Sequence, residues 1–267
     1  MNTSDSKSVS VPSDPTGETS PVSASSLAAR LFNVYAAPGE VFDELQTRPP
    51  STANWVVPML LLMVVSAVGA WLVFSQPAFQ QQQDEAQARF MQRLVEKGKV
   101  PPEAAAAQDT AGPRSTLKYT LGPTAGAVVT SLAAPFWGAL LLWIIGAKLL
   151  KGGFSYLKAL EAAGLACMID VLGALVKTLL ILATANLHAT VSPALALREV
   201  DWFNPAHLVL VSLDLFALWL YAVRAVAMAR LGKLSLGVCL ASMVACYAGL
   251  AGLMIGVMLA FRAFLGL

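Results

Sequence analysis

The chain has 267 residues, of which 57% are hydrophobic and 13% charged, with a formal net charge of +2, and its mean hydropathy is +0.64. Soluble domains carry about 25% charged residues, so a single water-soluble globule is excluded. The scattered Lys and Arg form no basic stripe interleaved with aromatics, which excludes a nucleic-acid surface.

In chain order, residues 1–25 are rich in Ser, Pro, Thr and Asp, and almost empty of large apolar side chains. They read as a disordered tail that is retained, because no basic start and short apolar core mark a signal peptide. From 26 to 45, Leu27, Leu31, Val34 and Tyr35 recur at helical spacing. Pro38-Gly39 breaks that run, and Val41, Phe42 and Leu45 resume it. The pattern predicts two short amphipathic helices in a surface region over 26–54. Their apolar face either docks on the membrane or packs on the protein's own bundle.

Five apolar segments follow, at 55–75, 122–147, 160–184, 205–229 and 235–262. Each reaches the ~20 residues that cross a ~30 Å hydrocarbon core. The fold class is therefore all-α, a polytopic membrane helix bundle occupying 55–267. The fourth segment opens on Asn204-Pro205 and holds Asp214 well inside, so a short helix over 205–212 before a span starting near Leu213 is the alternative. The polar loop 76–121 starts with a glutamine run at 80–83. It is expected to be helical to Glu96, with Gly98 and Pro101-Pro102 ending it and a connector over 104–113. Pro58 and Pro135 are expected to make modest kinks.

Lys148, Lys151 and Lys158 crowd the connection between spans two and three, and Arg224, Arg230 and Lys233 that between spans four and five. Short basic loops stay cytoplasmic, so the N-terminus is expected in the cytoplasm and the C-terminus outside. The loop 76–121, with six Lys and Arg, runs against this rule.

Three stretches carry a resemblance: Arg30-Leu-Phe-Asn-Val-Tyr-Ala-Ala-Pro-Gly-Glu-Val-Phe-Asp43, Lys151-Gly-Gly-Phe-Ser155 and Asp214-Leu-Phe-Ala-Leu-Trp219, the last followed by a final span rich in small residues. In order and spacing they resemble the Yip family, named for interaction with Ypt/Rab GTPases, in its bacterial form. The resemblance implies a five-helix membrane domain in the bacterial inner membrane, a cytoplasmic N-terminal region and a nearly absent outer tail. It implies a non-enzymatic role in organising membranes or binding membrane proteins. Eukaryotic relatives are linked to vesicle traffic and Rab proteins. The Asp-Leu-Tyr-Gly-Pro element associated with them is missing here, so Rab binding does not carry over.

Ionisable residues inside spans are costly and therefore candidates for function. Asp170 and Lys177 lie seven apart on a face that also holds Ala163, Ala166, Gly173 and Ala174. His207, Asp214 and Tyr221 repeat every seven, with Arg224 on the flank. The two stripes are expected to meet, with Lys177 touching Asp214. Such a cluster is either a proton or small-ion pathway, the runner-up function being transport of an ion or small solute, or a polar network that fixes helix pairing. In the last span Ala241, Ala245 and Gly249 form one ridge, and Ala248, Gly252 and Gly256 the next. This small-xxx-small face serves either packing within the bundle or homodimerisation. Cys167, Cys239 and Cys246 fall in apolar runs and read as packing residues. No Walker A loop, H-E-x-x-H or G-x-S-x-G is present, so no catalytic residue, cofactor or metal is assigned. The expected partners are the lipid bilayer and membrane proteins, a second copy included.

Overall fold

The computed structural model describes residues 25–103, 116–197 and 200–266, with side chains from 119 onward in the second stretch. Apart from Ser25, the tail expected over 1–25 lies outside the described residues, as do the connector 104–113 and the loop charges Arg198 and Glu199. Among the described residues 82% are helical and none is in a strand.

The N-terminal region forms α1 (Leu27–Ala36) and α2 (Pro38–Thr47). Ser26 accepts from the Ala29 N–H and starts α1. Pro38, lacking an N–H that a first helical turn would leave unpaired, starts α2. Both helices turn most of their apolar residues into the protein: Val34, Val41, Phe42 and Leu45 are at most 2% exposed, whereas Phe32 is 72% exposed. They pack against α6 (Tyr156–Thr184) and α8 (Leu215–Gly232).

Among the described residues, five helices are long and apolar enough to cross a membrane. The first is α3 (Ala53–Phe74). The second, α5 (Thr116–Leu142), continues as a π-turn over Trp143–Leu149. Then come α6, α8 and α9 (Leu236–Leu265). Pro58 and Pro135 sit within α3 and α5 without ending either helix. α6 is the centre of the bundle, packed by α3, α5, α8 and α1. Its stretch from Ala159 to Ile169 is buried at every position. Close approach there depends on Gly164, where a Cβ would fall 2.3 Å from Trp55 Cα.

The fourth apolar segment is not the continuous span over 205–229. It is two helices, α7 (Pro205–Ser212) and α8, separated at Leu213-Asp214. The last span, α9, packs mainly on α8, with α7 beside its far half. The polar loop holds α4 (Pro77–Glu96), opened by Pro77 and closed before Gly98, whose φ is +65°. α4 lies across the ends of the spans on the face opposite α1 and α2. Gln82 donates to the Ala185 carbonyl and accepts from the Leu187 N–H, and Phe90 stacks on Phe203.

Candidate functional site

Arg224 is a charge placed deep within its span. It is nine residues from the start of α8 and eight from its end, about 12–14 Å from either terminus, and it is 4% exposed. A cation at that depth needs partners, and three spans supply them. The guanidinium carbon lies 5.5 Å from the centre of the Tyr221 ring, one turn back on α8. On α6, the Cys167 thiol and the Asp170 carboxyl are both within electrostatic range of it. On α5, Gly138 makes the room, since a Cβ there would lie 2.8 Å from Nη2. Arg224 Nε is buried without a hydrogen-bond partner.

Just beyond lies the gap between α7 and α8. A helix broken at membrane depth exposes backbone groups that hydrocarbon cannot satisfy. Asp214 Oδ1 accepts from the Phe216 and Ala217 N–H groups at 3.0 and 3.1 Å. The Leu215 N–H donates to the Val191 carbonyl at 3.0 Å. The Tyr247 hydroxyl of α9 donates to the Ser212 carbonyl, and the Tyr247 ring stands 4.8 Å from that of Tyr221. Asp214 is thus a helix cap as well as a charge near Asp170.

The predicted cluster is therefore divided. Asp170, Tyr221 and Arg224 come together, with Asp214 beside them. Lys177 and His207 lie elsewhere. Lys177 is exposed, 21 residues and about 31 Å from the start of α6. Among the described residues no ion pair joins it to Asp214, contrary to the expected contact. Its electrostatic neighbour is His188, which packs edge-on to Trp202 at 5.5 Å. His207, on α7, accepts from the Asp201 N–H at 3.1 Å. A seven-residue repeat through 207, 214 and 221 assumes one helix, and the gap at Leu213-Asp214 breaks its phase. On α9, Ala241, Ala245, Ala248, Gly249, Gly252 and Gly256 are all exposed. A Cβ at any of the three glycines would meet nothing within 4 Å.

The family model of the Yip1 domain matches residues 32–259. The chain belongs to this family. No curated protein and no solved structure matches the chain.

The three stretches that carry the resemblance meet on α8 of this Yip1 domain. From the first, the Tyr35 ring stands 5.9 Å from Trp219, the last residue of the third. The Tyr35 hydroxyl donates to the Met168 carbonyl at 2.6 Å, and burial holds its pKa above the ordinary value. Asp43 pairs with Arg230 at 3.1 Å, and Gly39 lies under the same guanidinium. From the second stretch, Gly152 abuts Gly232, where a Cβ would come 2.9 Å from the Gly232 Cα. Phe154 closes on Gly146 and Met228, and Ser155 accepts from the Lys158 N–H to start α6.

One polar group of this Yip1 domain escaped the sequence reading. Glu161, 1% exposed, accepts from the Ser51 N–H and the Asn54 amide at 2.7 Å each. Its other oxygen pairs with Lys158 Nζ at 2.9 Å. Lys158 also donates to the Leu45 and Arg48 carbonyls, at 2.7 and 2.6 Å. This cluster ties the α2–α3 connector to the first turns of α6. The available signal was a carboxylate three residues after a lysine, just inside a span otherwise apolar.

Proposed function

We propose that this Yip1 protein works without enzymatic chemistry, as a membrane-organising protein that binds other membrane proteins or a second copy of itself. We place it in a bacterial cytoplasmic membrane with the N-terminus inside. The observation that supports this reading is the small-residue face of α9, turned away from its own bundle. In lipid, such a face lets a second backbone approach closely and gain dispersion contacts. The resemblance residues support it too, since Tyr35, Asp43 and Gly152 each hold a separate segment against α8.

The test is site-specific photocrosslinking in native membranes. Probes at Gly249 and Gly252 should give a discrete protein adduct, identifiable by mass spectrometry, while a probe at Met254, 66% exposed, should give lipid adducts alone. A phosphatase reporter should be active when fused at Gly266 and silent at Gly153 or Lys233.

A second reading, an ion or small-solute transporter, is favoured by the broken helix beside the buried Arg224, because interrupted helices often form midplane sites. Flux in proteoliposomes that is abolished by Asp170→Asn, with no adduct from α9, would support this reading over the first.

A further inference from the structure

On the face opposite α1 and α2, the last turns of α4, the 201–205 turn and the end of α9 enclose a cleft of about 540 Å³, a size that fits a small ligand group. Arg93, Lys97 and Arg262 line it, together with Glu96, Asp201 and Asn204. We infer that this cleft binds the phosphodiester of a phospholipid whose headgroup donates hydrogen bonds.

Depth is the first argument. Arg262 lies 26 residues from the start of α9, about 39 Å at 1.5 Å per residue. That is past a ~30 Å hydrocarbon core and within the headgroup layer. α4 begins three residues after α3 ends, so it lies at the same level.

Charge is the second. Arg93 and Lys97 are four apart on one face of α4, and like charges at that spacing repel. Neither side chain enters an ion pair or hydrogen bond among the described residues. An anion between them converts the repulsion into two charge-assisted contacts. Arg262 already donates from Nη1 to the Phe203 carbonyl at 2.8 Å, so Arg93 and Lys97 are the cations that an incoming anion would meet. A phosphodiester has two free oxygens that can be offered to these two side chains, one to each.

The carboxylates decide the headgroup. Asp201 Oδ1 accepts from the Phe203 N–H and Glu96 Oε1 from Gln92, so each retains acceptor capacity. Glycerol hydroxyls or an ethanolamine ammonium donate to such oxygens, whereas choline has no N–H or O–H to offer.

The experiment is lipid retention by the full chain in detergent, read by native mass spectrometry. Phosphatidylglycerol, phosphatidylethanolamine, phosphatidylcholine and inorganic phosphate are titrated separately. Glycerol or ethanolamine lipid should be retained in preference to choline lipid. Loss of two charge-assisted contacts in Arg93→Gln/Lys97→Gln should weaken that retention roughly tenfold. The charge-matched double Arg89→Gln/Lys177→Gln, on the same face outside the cleft, should keep it. Equal retention of phosphatidylcholine, unchanged retention in Arg93→Gln/Lys97→Gln, or full competition by millimolar inorganic phosphate would each overturn the proposal.

Discussion

The Asn54 amide donates to the Glu161 carboxylate at 2.7 Å, joining the first turn of α3 to the first turns of α6 across 107 residues of sequence. Asn54 and Glu161 are both 1% exposed, so neither can fall back on water. Glu161→Leu strands the Lys158 ammonium and unpairs the Ser51 N–H. It should destabilise the protein by about 3 kcal/mol, in the range of broken buried pairs. Glu161→Gln keeps an acceptor for Asn54 and should cost about 1 kcal/mol, the difference between charged and neutral hydrogen bonds. Thermal aggregation of the two variants in detergent measures both, and equal losses would contradict the geometry.

Glycines of the same type are expected to behave in opposite ways. At Gly164 an added Cβ meets the Trp55 backbone, which cannot rotate away. Gly164→Ala should therefore push α3 from α6 and lower stability by about 1–3 kcal/mol. At Gly252 the Cβ meets nothing within 4 Å, so Gly252→Ala should leave the isolated protein at least as stable, since alanine favours a helix. Melting curves of the two single variants make the comparison.

Asp214 and Lys177 should contribute to stability independently of each other. Asp214→Asn keeps the side-chain oxygen that caps α8, whereas Asp214→Leu removes it and should cost about 1–2 kcal/mol. Lys177→Met, at an exposed position, should be close to neutral. The double variant Lys177→Met/Asp214→Leu should show the sum of the two single effects within about 0.5 kcal/mol. Rescue of Asp214→Leu by Lys177→Met would instead reveal a pair that the geometry separates.

How far this arrangement was legible in the sequence differs from feature to feature. The spans were legible because crossing a bilayer demands long apolar runs, and the alternative break near Leu213 was legible from Asn204-Pro205 and Asp214. The meeting of Asp214 with Lys177 was not, because seven-residue spacing predicts a common face only along an unbroken helix. Arg224 read equally as a flank of the cluster and as a basic loop residue. Its depth is decided by where α8 stops, at Gly232, where Lys233 turns into the left-handed region at φ +52°, a stop that hydropathy does not mark. Glu161 was illegible as a partner of Asn54, because nothing local in the sequence pairs positions so far apart.

His188 gives a pH dependence. Burial first, and Lys177 second, lower its pKa below the ordinary 6.5. In the unfolded chain His188 gains its proton near 6.5, and in the folded protein only below that. Its contribution to stability is therefore complete above pH 6.5 and falls as the pH drops from 6.5 through the folded value. Amide exchange over 186–197 should accelerate on acidification from pH 8 to 5. In an NMR titration Lys177→Met should raise the His188 pKa part of the way back. A His188 pKa above 6.5 in the wild-type protein would refute this account.

The polar helices at the two ends of the bundle place a constraint on biosynthesis. Tyr35 waits for a carbonyl 133 residues downstream and Gln46 for one 185 downstream. On the opposite face Gln82 waits for a carbonyl 103 residues on. At a synthesis rate of about 5–20 residues per second, those intervals amount to roughly 5–40 s. Throughout them α1, α2 and α4 have left the ribosome while their docking surfaces do not yet exist. The bundle is therefore fastened at both ends only after the later spans have inserted.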